Sequence, residues 1–193
     1  SQVYTAIRAG FPVLASRSIS TIREVFRTMA LKIETEQRSL DHIARFYDEL
    51  AAHYDEMTGF SQRFVKEKPF FHLLVERHRI KTAMDAGSGT GFHSLLLAQL
   101  GVKVTAVDIS SKMLRKAQRH ARELGLSITT VESRLEDLAQ NAHGPFDAVF
   151  TLGNTLPHLL SDESLRTTLN NFSAVLKPEC LLVIQVLNYD RIL

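Results

Sequence analysis

The chain has 193 residues, 45% of them hydrophobic, and a formal net charge of +2. That is enough for one domain with a full core, and too little charge to imply nucleic acid or an acidic membrane as a partner. A single cysteine, Cys180, excludes an intrachain disulfide and fits a reducing compartment; no apolar run reaches the roughly 20 residues of a membrane span, and the histidines share no metal-ligand spacing.

Residues 1–23 contain no acid and hold Arg8, Arg17 and Arg23 among several serines. The segment reads as a basic arm of a cytoplasmic protein, or as a mitochondrial-type presequence of a matrix protein. From Ile22 to about Met57 the apolar residues recur at helical spacing, through Val25, Met29 and Ile33 and then Leu40, Ile43, Ala44, Tyr47, Leu50 and Ala51. A further helix is expected near 64–78 and a strand near 81–85.

The segment Asp85-Ala86-Gly87-Ser88-Gly89-Thr90-Gly91 follows that strand. Phe92–Leu100 then places Leu95, Leu96, Ala98 and Leu100 on a helix face, with Gly101 as a stop. Val102–Asp108 reads as a short buried strand ending in an acid. Lys112–Leu124 is an expected helix, capped by Ser110 or Ser111 and ended by Gly125. Strands are expected near 127–131, 147–151 and 180–187, with a helix over 162–176. Asp162 is the expected N-cap of that helix and Lys177-Pro178 its stop. Cys180 reads as a small buried residue or, alternatively, as a reactive thiol. Strands alternating with helices predict an α/β fold. The expected architecture is a Rossmann-like, doubly wound, mostly parallel sheet with helices on both faces.

A strand ending in glycines lets the backbone approach a ligand, because glycine lacks a Cβ and tolerates positive φ. The helix that follows directs free N–H groups to the same spot. Asp108, 23 residues after Asp85, is placed to accept hydrogen bonds from a ribose. The spacing G-x-G-x-G behind Asp85 differs from the G-x-G-x-x-G of dinucleotide sites. An acid there would repel a pyrophosphate and attract an ammonium. S-adenosyl-L-methionine, with an ammonium, a sulfonium and a ribose but no phosphate, suits that pattern better than NAD.

On these residues the chain, from about 44 to 193, resembles the class I S-adenosylmethionine-dependent methyltransferases. Asp85–Gly91 resembles the family's first motif, and Val107-Asp108-Ile109-Ser110 with Met113-Leu114 the second. Ser133–Leu138 stands at the adenine motif, with Arg134 in place of the usual acid. Phe146–Leu159 and Asn188–Leu193 resemble the fourth- and fifth-strand regions of glycine and sarcosine N-methyltransferases. There an arginine before Asn-Tyr-Asp clamps the amino-acid carboxylate; here that position is Leu187.

The resemblance implies a domain over 39–193, preceded by a basic arm and helix over 1–38. It implies methyl transfer from S-adenosyl-L-methionine to a small-molecule acceptor, at nitrogen. Asp85, Gly87, Ser88 and Gly89 would serve the methionine end of the cofactor and Asp108 the ribose. Ile109, Met113 and the Leu135 and Glu136 backbone would serve the adenine. Tyr54 and Arg63 are the candidates from the covering helices, and Leu152 stands beside the methyl group. Asn154 would orient the acceptor amine or merely cap its turn. Tyr189 would line the acceptor site or pack under the family's final hairpin, and His158 would act as a base or as a structural residue at a helix start. A binding or assembly module without catalysis and an NAD-type oxidoreductase are the alternatives. The family's sheet has seven strands with a final antiparallel hairpin, so the last strands are expected to be missing unless the N-terminal segment compensates.

Overall fold

The computed structural model describes residues 2–8, 40–50, 60–159 and 161–187. Among them lie six strands: β1 (Gln2–Arg8), β2 (Thr82–Ala86), β3 (Lys103–Asp108), β4 (Thr129–Glu132), β5 (Phe146–Thr151) and β6 (Leu176–Leu187). The helices are α1 (Leu40–Leu50), α2 (Phe60–His78), α3 (Phe92–Gln99), α4 (Ser111–Glu123), α5 (Leu138–Asn141) and α6 (Asp162–Val175). Two 3-10 turns, Leu135–Asp137 and Leu156–His158, follow β4 and β5.

The sheet order is β1-β6-β5-β2-β3-β4. Every pair is parallel except β1 with β6, where Gln2–Arg8 runs antiparallel along Leu181–Leu187. Part of the expected N-terminal arm is therefore an edge strand. The chain winds outward from β2 to β4 on one side and through β5 to β6 on the other. The switch between β2 and β5 opens a crevice at the carboxyl ends of the strands, the usual place for a ligand in such sheets.

Alternation along the strands divides the core between two faces. Met84, Val107, Val149 and Ile184 pack against Leu138, Phe172 and Val175 of α5 and α6. Ala83, Val104, Phe150 and Val183 pack against Phe71 and Val75 of α2 and Leu96 and Leu97 of α3. At the amino ends of the strands, Asp147 ties the sheet together. Its carboxylate accepts from the N–H groups of Lys81 and Thr82 at 2.9 and 2.8 Å and from Lys177 Nζ at 2.6 Å. Burial pushes this carboxyl up, but these donors outweigh it and hold the pKa at about 2.

Two expectations change. Ser161, not Asp162, caps α6, accepting from the Ser164 N–H at 3.0 Å; Asp162 is the first helical residue. The helix ends at Val175, just before Lys177-Pro178 as expected, but β6 begins at Leu176 rather than at 180. β5 advances from Phe146 to Ala148 while β6 advances from Leu176 to Leu181, so Pro178 and Glu179 lie in a bulge. A bulge tolerates the missing proline donor, and Glu179 adopts φ 58° there.

Candidate functional site

The cavity at the switch point is built from four strand ends and one covering helix. The turn after β2 contributes Gly87, Ser88, Gly89 and Thr90. The tip of β3 contributes Asp108 and Ile109, and the segment after β4 contributes Ser133 to Glu136. Leu152, Gly153, Thr155, His158 and Leu159 come from the segment after β5. Ile43 and Tyr47 of α1 line it from above, and Arg63, Phe92 and His93 close one end.

The glycine turn is specified by space as well as by backbone angle. Gly87 has φ 81°, and a Cβ there would stand 2.2 Å from Thr155 Cγ2. Most of the turn's N–H groups are spent within the protein. Gly87 and Ser88 both donate to Val107 O, at 2.8 and 2.9 Å, and Gly91 donates to Ser88 O at 2.9 Å. Gly89 donates to Asp108 Oδ2 at 2.8 Å. A phosphate cradle needs such N–H groups pointing outward; these four point inward. Ser88 Oγ, on a residue only 9% exposed, has no partner among the described residues, and Ser88 lines the cavity.

Asp85 and Asp108 lie near the carboxyl ends of the paired strands β2 and β3, on the alternation that faces α2 and α3. Their surroundings differ. Asp108 lines the cavity; its second oxygen accepts the Ser110 N–H at 2.9 Å. Burial pushes its carboxyl up, against the N–H bonds from Ser110 and Gly89 that favour the ion. Two bonds still leave a carboxylate lone pairs for hydroxyl donors.

Asp85 is 1% exposed and is not among the lining residues. Burial raises its pKa, and its carboxyl is occupied by the Ser94 hydroxyl at 2.6 Å and the Ser94 N–H. The Asp85 carboxyl therefore meets Ser94 of α3 rather than the cavity. Met113 is also withdrawn, because the α4 stripe Met113, Leu114, Ala117 and Ala121 is buried in the protein.

Gly87, Ser88, Gly89, Asp108, Ile109, Leu135, Glu136, Leu152 and Arg63 are all brought to the cavity. Arg63 Nε donates to Glu67 at 2.8 Å, and the guanidinium lies 4.2 Å from the Phe92 ring centroid. Glu67 also bonds His93 Nε2 at 3.2 Å. Burial acts to raise the Glu67 pKa, but bonds to His93 and Arg63 lower it overall. Asn154 does not line the cavity; its Oδ1 accepts the Leu187 N–H at 3.3 Å, and its φ is 69°. Tyr54 and Tyr189 lie outside the described residues.

Sequence reasoning missed Tyr47 as a lining residue and left His158 undecided. The Tyr47 hydroxyl and His158 Nε2 share a hydrogen bond of 2.7 Å across the cavity wall, and burial lowers the His158 pKa. Tyr47 was visible only as one apolar position in a helical repeat, alongside Ile43. Its position over the cavity depends on α1 docking. Asp48 does that docking, accepting from Ser110 Oγ and, at 3.2 Å, from the Lys112 N–H at the start of α4.

Residues 83–179 match the family described as a methyltransferase domain. Over 159 residues the chain is 38% identical to the glycine/sarcosine N-methyltransferase of Aphanothece halophytica, covering 82% of this chain and 60% of that protein. It is 35% identical over 133 residues to the glycine N-methyltransferase of Homo sapiens, covering 62% of this chain and 45% of that one. A solved S-adenosylmethionine-dependent methyltransferase from Clostridium acetobutylicum shares the fold with a TM-score of 0.62 at 20% identity, over 72% of this chain and 57% of its own. The chain thus spans 60% or less of the length of these relatives.

Proposed function

This chain belongs to the methyltransferase-domain family, and we propose on that premise that it transfers a methyl group from S-adenosyl-L-methionine to a small-molecule amine. The observation that carries the cofactor is the inward-turned glycine loop. Its N–H groups at 87, 88, 89 and 91 are consumed within the protein, which disfavours a pyrophosphate and leaves a close backbone surface beside the Asp108 carboxylate. A nucleoside without phosphate fits that donor and acceptor set.

The cofactor, when bound, supplies the methyl group as an electrophile on a sulfonium sulfur. Asp108 accepts from the ribose hydroxyls, and Ile109 and Leu135 give the adenine an apolar seat. Gly87 and Gly89 allow close approach at the methionine end, where the Ser88 hydroxyl is available as a donor. Arg63 retains N–H groups beyond the one given to Glu67 for a carboxylate at that end.

At the β5 end, Leu152 and Gly153 form the wall and Tyr47 and His158 supply hydrogen-bonding groups for an amine. Burial favours neutral His158, so the imidazole can orient an amine without adding a repelling cation. Alignment and exclusion of water are the protein's main contributions to such an in-line displacement. Asn154 and Tyr189 remain candidates for acceptor contacts, with Tyr54 for the cofactor.

The relatives named glycine/sarcosine N-methyltransferases support nitrogen as the methylated atom. Leu187 offers no guanidinium for an amino-acid carboxylate, which favours amines that do not depend on a clamp there. α1 packs onto α4 through Asp48, which supports placing residue 39 onward in the methyltransferase domain, with Gln2–Arg8 adding an edge strand to its sheet. The single cysteine supports a reducing compartment, the cytoplasm.

The test is transfer of labelled methyl from S-adenosyl-L-methionine to a panel of glycine, sarcosine and carboxylate-free amines. Labelled amine product supports the proposal. A protein that binds the cofactor and labels no member of the panel contradicts amine transfer.

A further inference from the structure

Helix α4 does more than cover the sheet. Ala117 and His120, three residues apart on one helical face, both meet the glycine turn. A Cβ on Gly91 would stand 2.7 Å from Ala117 Cβ, so helix and turn are in close contact. One turn of α4 further on, His120 Nδ1 lies 3.1 Å from the carbonyl oxygen of Thr90.

A carbonyl carries no proton, so Nδ1 must be the donor. The imidazole meets that need as its Nδ1–H tautomer. Thr90 is itself 1% exposed and lines the cavity. Its peptide carbonyl joins Thr90 to Gly91, whose N–H closes the turn on Ser88 O at 2.9 Å.

We propose that His120 is a positioning residue: its Nδ1–H holds the Thr90 carbonyl, fixing the Ser88–Gly91 turn in the shape that the cofactor meets. The role in cofactor binding rests on the methyltransferase reading above; the restraint on the turn does not. His120 reaches the turn from outside the cavity and need not touch the ligand.

Two substitutions separate the donor from the bulk of the ring. The Nδ2 of asparagine branches from Cγ, as the histidine Nδ1 does, so His120→Asn retains a donor near the same place. His120→Gln moves its amide one carbon further out and loses it. Each variant is compared with the whole chain by calorimetric titration with S-adenosyl-L-methionine and by amide exchange at Gly87, Ser88, Gly89 and Gly91 without ligand. Thermal unfolding shows that each is folded at the assay temperature.

One lost hydrogen bond gives an expected weakening of about three- to tenfold in Kd for His120→Gln, with faster exchange of the turn amides. His120→Asn should stay within about twofold of wild type in both readouts. Unchanged exchange and affinity in His120→Gln would overturn the assignment, as would an equal loss in His120→Asn. If wild type binds no cofactor while exchange still separates the two variants, the restraint stands and the methyltransferase reading fails.

Discussion

Gly87→Ala probes the tightest point of the cavity wall. The backbone term comes first: an L-residue in the left-handed region costs about 1–2 kcal/mol, and Gly87 sits at φ 81°. The contact term comes second. The new Cβ would lie 2.2 Å from Cγ2, 2.4 Å from Oγ1 and 2.8 Å from Cβ of Thr155, so that side chain must rotate and the Thr155 backbone must give way with it. Thr155 Oγ1 then loses its 2.8 Å bond to Leu152 O, worth about 1 kcal/mol.

The two terms together suggest a loss of about 2–3 kcal/mol. In a Thr155→Gly background the contact is gone and only the backbone term remains, so the coupling between the two sites should be about 1 kcal/mol. Urea unfolding of the four proteins, followed by circular dichroism, measures it. Equal costs of Gly87→Ala in both backgrounds would refute the contact, and no cost in either would refute the backbone conformation as well.

Three further outcomes are expected. Asp147 titrates at about 2, below its ordinary 3.8, so its contribution to stability is fully present above pH 3.8 and is lost as pH falls through 2. Discounted for the exposed Lys177 ammonium, it should make Asp147→Asn about 1–2 kcal/mol less stable at pH 7, with the gap closing near pH 2; a gap constant with pH in urea melts would exclude this. Asp48→Ala removes the acceptor joining α1 to Ser110 and Lys112 and should speed cofactor dissociation about threefold or more; an unchanged rate by surface plasmon resonance would show that α1 does not restrain the ligand. Asn171 Nδ2 donates to Leu135 O at 3.0 Å and Glu136 O at 2.6 Å, so Asn171→Leu should raise the cofactor KM about three- to tenfold and spare the acceptor KM. Equal changes in both would argue against a role confined to the adenine end.

The parallel character of the sheet was legible because strands alternate with helices along the chain, and β3 and β4 are short β-branched runs ending in Asp108 and Glu132, a local signal that survives folding. The same holds for the α4 cap: Ser110 Oγ accepts the Met113 N–H at 3.1 Å, and Gly125 ends the helix at φ 65°. Less was legible where sequence-distant parts meet. Pro178 looks locally like a helix stop, yet β6 starts before it because pairing of Leu176 with Phe146 outweighs the local break.

The site divides in the same way. Asp108, Ile109 and the glycines are positioned by one βαβ unit and could be found by spacing. Asp85 satisfied the same spacing, but its side chain is claimed by Ser94 from the next helix. Tyr47, His93 and His120 carry no local signature; only the docking of α1, α3 and α4 brings them to the cavity or its wall.

Calorimetric titration of the chain with S-adenosylhomocysteine, beside a folded Asp108→Ala variant, tests the cavity most directly. One-site binding to the wild-type chain that is weakened at least tenfold in the variant is the expected result, since a lost bond to a charged acceptor is worth about 1.5–3 kcal/mol. Absence of binding, or equal affinity in both proteins, would contradict it.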